Sequence, residues 1–241
     1  MKKILLVTLL LALAIISCDD ASDEETGPRD VVDTAHTYTA NGELISHTEY
    51  EYDSKGRQTK ISTYDAKGEL SQYNEYERDS KGNQTKQRLY NASGELTGYT
   101  EYKNEYDSKG KLTKQSYYDA KGVLTGYTEY KRDSKGKLTK HSSYNANGGL
   151  SYYTEYEYDS KGNNTKSSGY NANGELTAYW EYEYDSKGNQ IKQSSYNANG
   201  ELIGYYEYEY DSKGNNTKMS GYRANGELTS YSVYKYKTIT L

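Results

Sequence analysis

The sequence predicts an all-β chain. It reads as a repetitive antiparallel meander of about 16 strands in one wide, twisted and coiled sheet, with a closed barrel as the alternative. Two observations carry that reading. Glycine recurs at 42, 56, 68, 82, 94, 110, 122, 136, 148, 162, 174, 188, 200, 214 and 226, at alternating spacings of 14 and 12, so the repeat is 26 residues long. Between the glycines lie runs of 8 and 10 residues rich in Tyr and Thr, which favour strands, while glycine returns too often for helix. With 33% hydrophobic residues and a mean hydropathy of −1.12 the chain resembles a disordered one. The strict alternation and the turn chemistry at every beat argue for folding instead.

The N-terminus stands apart from the repeats. Lys2 and Lys3 precede an apolar run, Ile4 to Ile16, too short to span a bilayer comfortably. The run ends in Ile15-Ile16-Ser17-Cys18, and Cys18 is the only cysteine, so no internal disulfide can form. This segment resembles a bacterial lipoprotein signal peptide with its lipobox. The resemblance implies removal of residues 1–17, lipidation of Cys18 through its sulfur, and a membrane partner reached through that lipid. Residues 18–32 read as the lipidated cysteine and an acidic tether, "DDASDEETGPRD" holding the only proline. Asp19 and Asp20 directly after the cysteine resemble the export signal of surface lipoproteins in Bacteroidota. The expected location is therefore the outer membrane or cell surface, with the periplasmic face as the alternative.

Residues 33–241 form the repeat domain. Each glycine closes a group such as Asp159-Ser160-Lys161-Gly162 or Asn171-Ala172-Asn173-Gly174. That pattern suits a type I turn followed by a left-handed glycine, with the Asp or Asn side chain capping its own turn. Fifteen such turns imply about sixteen strands. One spacing is 16, between Gly94 and Gly110, and the two extra residues are placed at Lys103-Asn104. An insertion of two leaves the faces of a strand unchanged, where one would exchange them.

Plain alternation from each turn sets a register. Tyr170 then faces Leu176, Ser168 faces Ala178, Lys166 faces Trp180 and Ala178 faces Tyr196. One face collects Leu176, Ala178, Trp180, Tyr182, Tyr184, Tyr170 and Tyr196 with Lys166 and Lys192. The other collects Thr177, Tyr179, Glu181 and Glu183. The 32 tyrosines, in a chain with no phenylalanine, fall into four ladders. The first runs from Tyr38 through Tyr170 and Tyr196 to Tyr222. The second is Tyr50, Tyr76, Tyr102, Tyr130, Tyr156, Tyr182, Tyr208 and Tyr234. The third includes Tyr52, Tyr106, Tyr158, Tyr184, Tyr210 and Tyr236, with Arg78 and Arg132 on two rungs. The fourth runs from Tyr73 to Tyr231, and only Tyr117, Tyr152 and Tyr206 lie outside. A sheet wet on parts of both faces suits a large ring with a polar tip, and the regular lysines can lie over those rings.

The beat "YDSKGN" followed by a strand, then "YNANGEL" and another strand, resembles the YD/Rhs repeat family over about residues 38–236. The resemblance implies strands wound into a spiralling shell, which in known members sometimes encloses a toxin cargo. This chain ends at "YKYKTITL" with no cargo domain or processing motif, so only the β-architecture carries over.

Chemistry is not indicated. His36, His47 and His141 sit in different registers, the Asp-Ser-Lys-Gly groups lack the alternating acids of a calcium loop, and no nucleophile elbow, phosphate loop or zinc spacing occurs. The expectation is no enzyme, no metal and no cofactor. The net charge is −5, or about −7 once Lys2 and Lys3 leave with the signal, which disfavours nucleic acid. A membrane-spanning barrel is disfavoured too, because charges fall at mid-strand on both faces. The expected role is a surface-anchored, adhesin-like module that binds glycan or matrix through its aromatic face. The candidate residues are Tyr50, Tyr76, Tyr102, Tyr130, Tyr156, Tyr182, Tyr208 and Tyr234 with Trp180, Tyr170 and Tyr196. The alternative is a coat or spacer lipoprotein without a dedicated ligand. An open concave tyrosine face favours binding, and a closed or self-packed one favours structure.

Overall fold

The computed structural model describes residues 28–240 apart from Lys81. The signal segment, Cys18 and residues 19–27 of the tether lie outside the described residues. The strands are β1 Pro28–Thr39, β2 Leu44–Tyr52, β3 Gln58–Asp65, β4 Leu70–Arg78, β5 Gln84–Asn91, β6 Leu96–Tyr106, β7 Leu112–Tyr118 and β8 Leu124–Arg132. They continue as β9 Leu138–Asn145, β10 Leu150–Tyr158, β11 Asn164–Asn171, β12 Leu176–Tyr184, β13 Gln190–Asn197, β14 Leu202–Tyr210, β15 Asn216–Arg223 and β16 Leu228–Thr240. Each pairs antiparallel with its sequence neighbours, and β1 pairs with β16, so the sheet closes into a barrel. The sixteen antiparallel strands are as expected, but the open sheet gives way to the closed alternative. An open sheet this wide would twist steadily and leave two long unpaired edges; closure satisfies both.

Strand stagger sets the girth. Lys60 pairs with Glu75 and Glu75 with Arg88, two residues beyond Lys86, the counterpart of Lys60 in the next repeat. Such a stagger tilts the strands. With strands ~4.8 Å apart and tilted by ~35–45°, sixteen of them enclose a ring roughly 30 Å across between backbones. Among the described residues, strands approach only their two neighbours in the ring.

The turns form as their residues dictate. At each beat the glycine has positive φ, from 68° to 100°. In the Asn171 turn, the Gly174 N–H donates to the Asn171 carbonyl and the Asn171 N–H to that of Glu175. The Asn171 Oδ1 accepts from the N–H groups of Asn173 and Glu175, 3.0 Å each. Aspartates in the other turn type do the same, as Asp185 does with Lys187 and Asn189.

The register departs from plain alternation by one bulge at every pairing, including the seam. Tyr170 does face Leu176, but Gly169 faces Ala178, Ser168 faces Tyr179, and Lys166 faces Glu181. Likewise Tyr196 faces Tyr179 rather than Ala178. The extra residue is often a threonine: the Thr177 hydroxyl donates to the Gly169 carbonyl at 3.0 Å, and Thr229 does the same to Gly221. One extra residue exchanges faces beyond it. Tyr170, Tyr196, Lys166 and Lys192 therefore join Tyr179, Glu181 and Glu183 on one face, and Trp180, Tyr182 and Tyr184 are left on the other.

That second face is the lumen. The barrel is one layer thick, and its curvature crowds the side chains that point inward against those of the neighbouring strands. Burial pushes the phenols of Tyr50, Tyr76, Tyr102, Tyr156, Tyr182, Tyr208 and Tyr234 up, and Tyr208 is buried outright. Glu49, Glu155, Glu181 and Glu183 are exposed.

The seam uses the same interface as the repeats. Tyr38 faces and stacks on Tyr231 (centroids 5.1 Å apart), as Tyr196 does on Tyr179 (4.7 Å). The seam strands are the two longest. β1 already begins at Pro28, so residues 28–32 are strand and not tether. Proline is tolerated there as the first residue of its strand.

Candidate functional site

The second ladder lines the lumen as a ring that continues through the seam. Electrostatic coupling links Tyr50 to Tyr76, Tyr182 to Tyr208, Tyr208 to Tyr234, and Tyr234 back to Tyr50. Tyr102 and Tyr208 donate to the amide oxygens of Gln87 (2.9 Å) and Gln193 (3.3 Å). Trp180 is also lumenal, opposite Ser167 and Ser195. Tyr170 and Tyr196 lie on the convex face instead, stacked on Tyr153 (4.8 Å) and Tyr179 (4.7 Å).

The third ladder is scaffold. The hydroxyls of Tyr52, Tyr158, Tyr184, Tyr210 and Tyr236 donate to the carbonyls of Val32, Leu138, Asn164, Gln190 and Asn216, at 2.7–2.9 Å. Each carbonyl belongs to a residue next to a bulge, where ladder pairing is interrupted. Where tyrosine is replaced, a donor remains: Arg78 Nε reaches the Gln58 carbonyl at 3.3 Å, and Asn104 Nδ2 reaches that of Gln84 at 3.2 Å. Asn104 is half of the two-residue insertion, and it takes over this donor role while β6 keeps its faces.

The convex face is a repeating mosaic. Lys166 lies over the Tyr179 ring (4.4 Å), Lys192 over Tyr205 (4.6 Å) and Lys140 over Tyr153 (3.3 Å). Lysines also pair with glutamates, as Lys86 with Glu77 (2.9 Å) and Lys218 with Glu209 (3.0 Å). Exposed pairs like these contribute ~0–1 kcal/mol each; their weight here lies in where they put charge. At the insertion the pattern breaks: Lys103, not a fourth-ladder tyrosine, covers the ring of Tyr118 (4.4 Å).

The lumen departs most from repetition near β6–β10. Two of the three tyrosines outside the ladders, Tyr117 and Tyr152, gather there with His141. Tyr117 meets Tyr102 edge-on (5.7 Å) and donates to Thr128 Oγ1 (2.8 Å), which is 3.1 Å from Ser143 Oγ. His141 Nδ1 lies 2.7 Å from the Tyr156 hydroxyl, and its ring meets Tyr152 edge-on at 6.3 Å. Burial pushes the imidazole of His141 down, so it is neutral at pH 7. Tyr102, Tyr117, Gly126, Ser143, Asn145 and Tyr152 line a recess of about 480 Å³ at the mouth of the Asn-x-x-Gly turns, and Tyr152 is 52% exposed there. Of this group sequence reasoning selected Tyr102 and Tyr156, and passed over Tyr117, Tyr152 and His141. Its signal was that Tyr117 and Tyr152 belong to no ladder. On the convex side the structure also brings together two histidines that sequence reading kept apart: His36 and His47 pair across β1–β2 and stack at 5.6 Å.

No protein-family model and no curated protein sequence matches the chain. Solved structures do. A porin-like protein from Bacteroides uniformis is similar at 12% identity and a TM-score of 0.51, over 86% of this chain and 98% of that one. A porin-like protein from Bacteroides vulgatus is similar at 13% identity and a TM-score of 0.34, over 86% and 98%. The Photorhabdus luminescens Tc holotoxin pore is similar at 18% identity and a TM-score of 0.37, over 79% of this chain, which spans about 10% of that one. The first likeness is one of fold: a closed, all-antiparallel barrel.

Proposed function

We propose that this chain is a lipid-anchored, non-catalytic protein of the bacterial envelope, exposed at the cell surface, whose barrel binds a glycan at one mouth of its lumen. The observation that carries the binding half is the recess of Tyr102, Tyr117 and Tyr152. It offers ring faces for stacking and a rim of Ser143 and Asn145 for hydroxyl groups. Most of the tyrosine array is ruled out as that surface by its own geometry. The third ladder spends its hydroxyls on backbone carbonyls, and the convex rings are covered by lysine or by each other. The convex face supports a place beside the bilayer rather than across it. A lipid-facing band is apolar, and here Lys60–Glu51, Lys86–Glu77 and Lys218–Glu209 pairs run round it.

The test is retention of the full chain on insoluble polysaccharides, peptidoglycan and matrix proteins. Tyr117→Ser and Tyr152→Ser variants are compared with Tyr179→Ser on the convex face. Retention on a polysaccharide, lost at least tenfold in the first two but not in the third, is the expected outcome. A second reading, a spacer without a dedicated ligand, has the closed and self-satisfied tyrosine lumen in its favour. It becomes the better account if the chain is retained on none of these materials.

A further inference from the structure

The two rims of the barrel differ in charge. Every Asp-Ser-Lys-Gly turn joins an even-numbered strand to the next odd one, so all of them lie at one rim; the turns with alanine in second place lie at the other, and only two of these, at Lys67 and Lys121, carry a lysine in third place. At the first rim the aspartates fold back into their own turns. Asp159, Asp185 and Asp211 each accept from the side-chain amide of Asn163, Asn189 or Asn215 and from backbone N–H groups, and these bonds, the amide ones first, hold their carboxyls below the usual range. The lysines two residues on stay exposed: Lys109, Lys135, Lys161 and Lys187, with Lys213 exposed too but paired with Asp30. At the other rim the residue after the glycine is mostly glutamate, and Glu43, Glu69, Glu95, Glu175 and Glu201 are exposed.

The chain enters and leaves at the lysine rim. Pro28 pairs with Thr240 there, Arg29 donates to the Gly56 carbonyl, and Lys213 Nζ lies 2.8 Å from Asp30. Only nine residues separate Cys18 from Pro28, a reach of about 30 Å at full extension. A lipid on Cys18 therefore holds the rim at which the chain enters within about 30 Å of the bilayer. A ring of lysines at a bilayer surface is the arrangement that anionic headgroups attract, within a Debye length of ~8–10 Å.

We propose that the Asp-Ser-Lys-Gly rim docks on anionic lipid headgroups, so that the barrel stands on the membrane with its glutamate-rich mouth, and the Tyr117–Tyr152 recess, facing away. This rests on the anchored reading above. It also assigns the crown of lysines a partner that is separate from the acidic tether, the other anionic segment within reach.

The experiment uses the lipidated chain, purified from bacterial membranes and reconstituted into phosphatidylcholine vesicles with or without phosphatidylglycerol. Lysines are acylated with a membrane-impermeant reagent and read by mass spectrometry. Lys109, Lys135, Lys161 and Lys187 are expected to react several-fold more slowly than Lys67 and Lys121 of the opposite rim. That protection should need phosphatidylglycerol and vanish at high salt. Equal reactivity of the two rims on vesicles that the chain still floats with overturns the docking and leaves the anchor standing. Protection that persists in detergent without lipid overturns it in favour of the tether as the occupant. A chain that does not float with vesicles at all overturns the anchor and the docking together. A variant with Lys109, Lys135, Lys161 and Lys187 changed to Glu, all at exposed turn positions, should keep its circular dichroism and flotation and lose the difference between phosphatidylcholine and phosphatidylglycerol vesicles.

Discussion

Tyr184 shows why tyrosine recurs here and phenylalanine does not. Its ring packs in the lumen, and its hydroxyl supplies the donor that the Asn164 carbonyl lacks beside a bulge. Phenylalanine would fill the space and leave the carbonyl without a partner, a loss that a half-dry lumen makes costly. The same burial that makes the donor useful disfavours the phenolate. Tyr52, Tyr184 and Tyr234 are pushed up to about 12, first by burial and then by neighbouring phenols, and Tyr156 and Tyr208 are raised as well. A phenol whose folded value lies above its ordinary value of ~10 favours the folded state while it is protonated. This stabilisation is complete below about pH 10 and is lost as pH rises from there through about 12. The barrel should therefore hold through pH 10. Above that, the lumenal rings should ionise, and their tyrosinate absorbance should rise together with the loss of the β-sheet circular dichroism signal. A single titration near pH 10 that leaves the sheet intact would show that the lumen is wet enough to ionise without opening.

At the scale of the hairpin, two local devices set the geometry, and only one was legible in the sequence. The turns were. Asp or Asn followed three residues later by glycine specifies a capped type I turn and a left-handed residue at thirteen of the beats, Thr39 and Arg223 stand first at the other two, and all fifteen turns form. The bulges were not. The clue was the threonine just past many turns, at Thr125, Thr177 and Thr229, whose hydroxyl takes the carbonyl across the strand pair. In a tyrosine- and threonine-rich sequence another threonine looks like ordinary strand composition. Missing one bulge per pairing put Tyr170 and Tyr196 on the lumenal face and hid the Tyr–Tyr stacks of the convex one. The recess was missed for a related reason: periodicity picks out what repeats, and Tyr117, Tyr152 and His141 do not. Turn glycines separate two costs. At Gly68, φ is +83° and a Cβ would meet nothing within 4 Å, so Gly68→Ala should cost only the left-handed strain, about 1 kcal/mol. At Gly56, φ is +68° and a Cβ would come within 2.9 Å of the Arg29 guanidinium and Ile239 at the seam. Gly56→Ala should therefore cost the same strain plus what it takes to move those two side-chain ends, a total somewhat above that of Gly68→Ala. Thermal unfolding of the two variants side by side checks this, and equal losses would mean that the seam yields freely at that point.

For the molecule as a whole, the question is what ends a repeat that could have continued. The sequence fixes the strand count through its turns but does not say whether the sheet stays open. Closure depends on twist and stagger summed over sixteen pairings and on β1 and β16 matching in register. The match is that of any other hairpin interface: Tyr38 on Tyr231, a bulge at residue 33, and the Tyr52 hydroxyl on the Val32 carbonyl as Tyr184 is on Asn164. The longer seam strands add Thr37 Oγ1 to Ser232 Oγ (3.0 Å) and Lys237 to Asp33 (2.8 Å) in place of the covalent turn. If the seam is one more copy of the repeat interface, ring size should be adjustable in units of two strands and no smaller. Deleting residues 163–188, one full 26-residue repeat, rejoins a Gly to an Asn as in the intact chain and leaves fourteen strands with antiparallel ends. That chain should close into a narrower ring, remain monomeric, and keep slow hydrogen exchange in β1 and β16. Deleting residues 163–174 removes one strand and brings β1 and β16 together in parallel, where the observed pairs cannot form. It should expose two edges and associate, as open sheets of this length do. If the fifteen-strand chain is as monomeric and as protected at its ends as the fourteen-strand one, the seam is not what completes the fold, and the stability of the array resides in its hairpins alone.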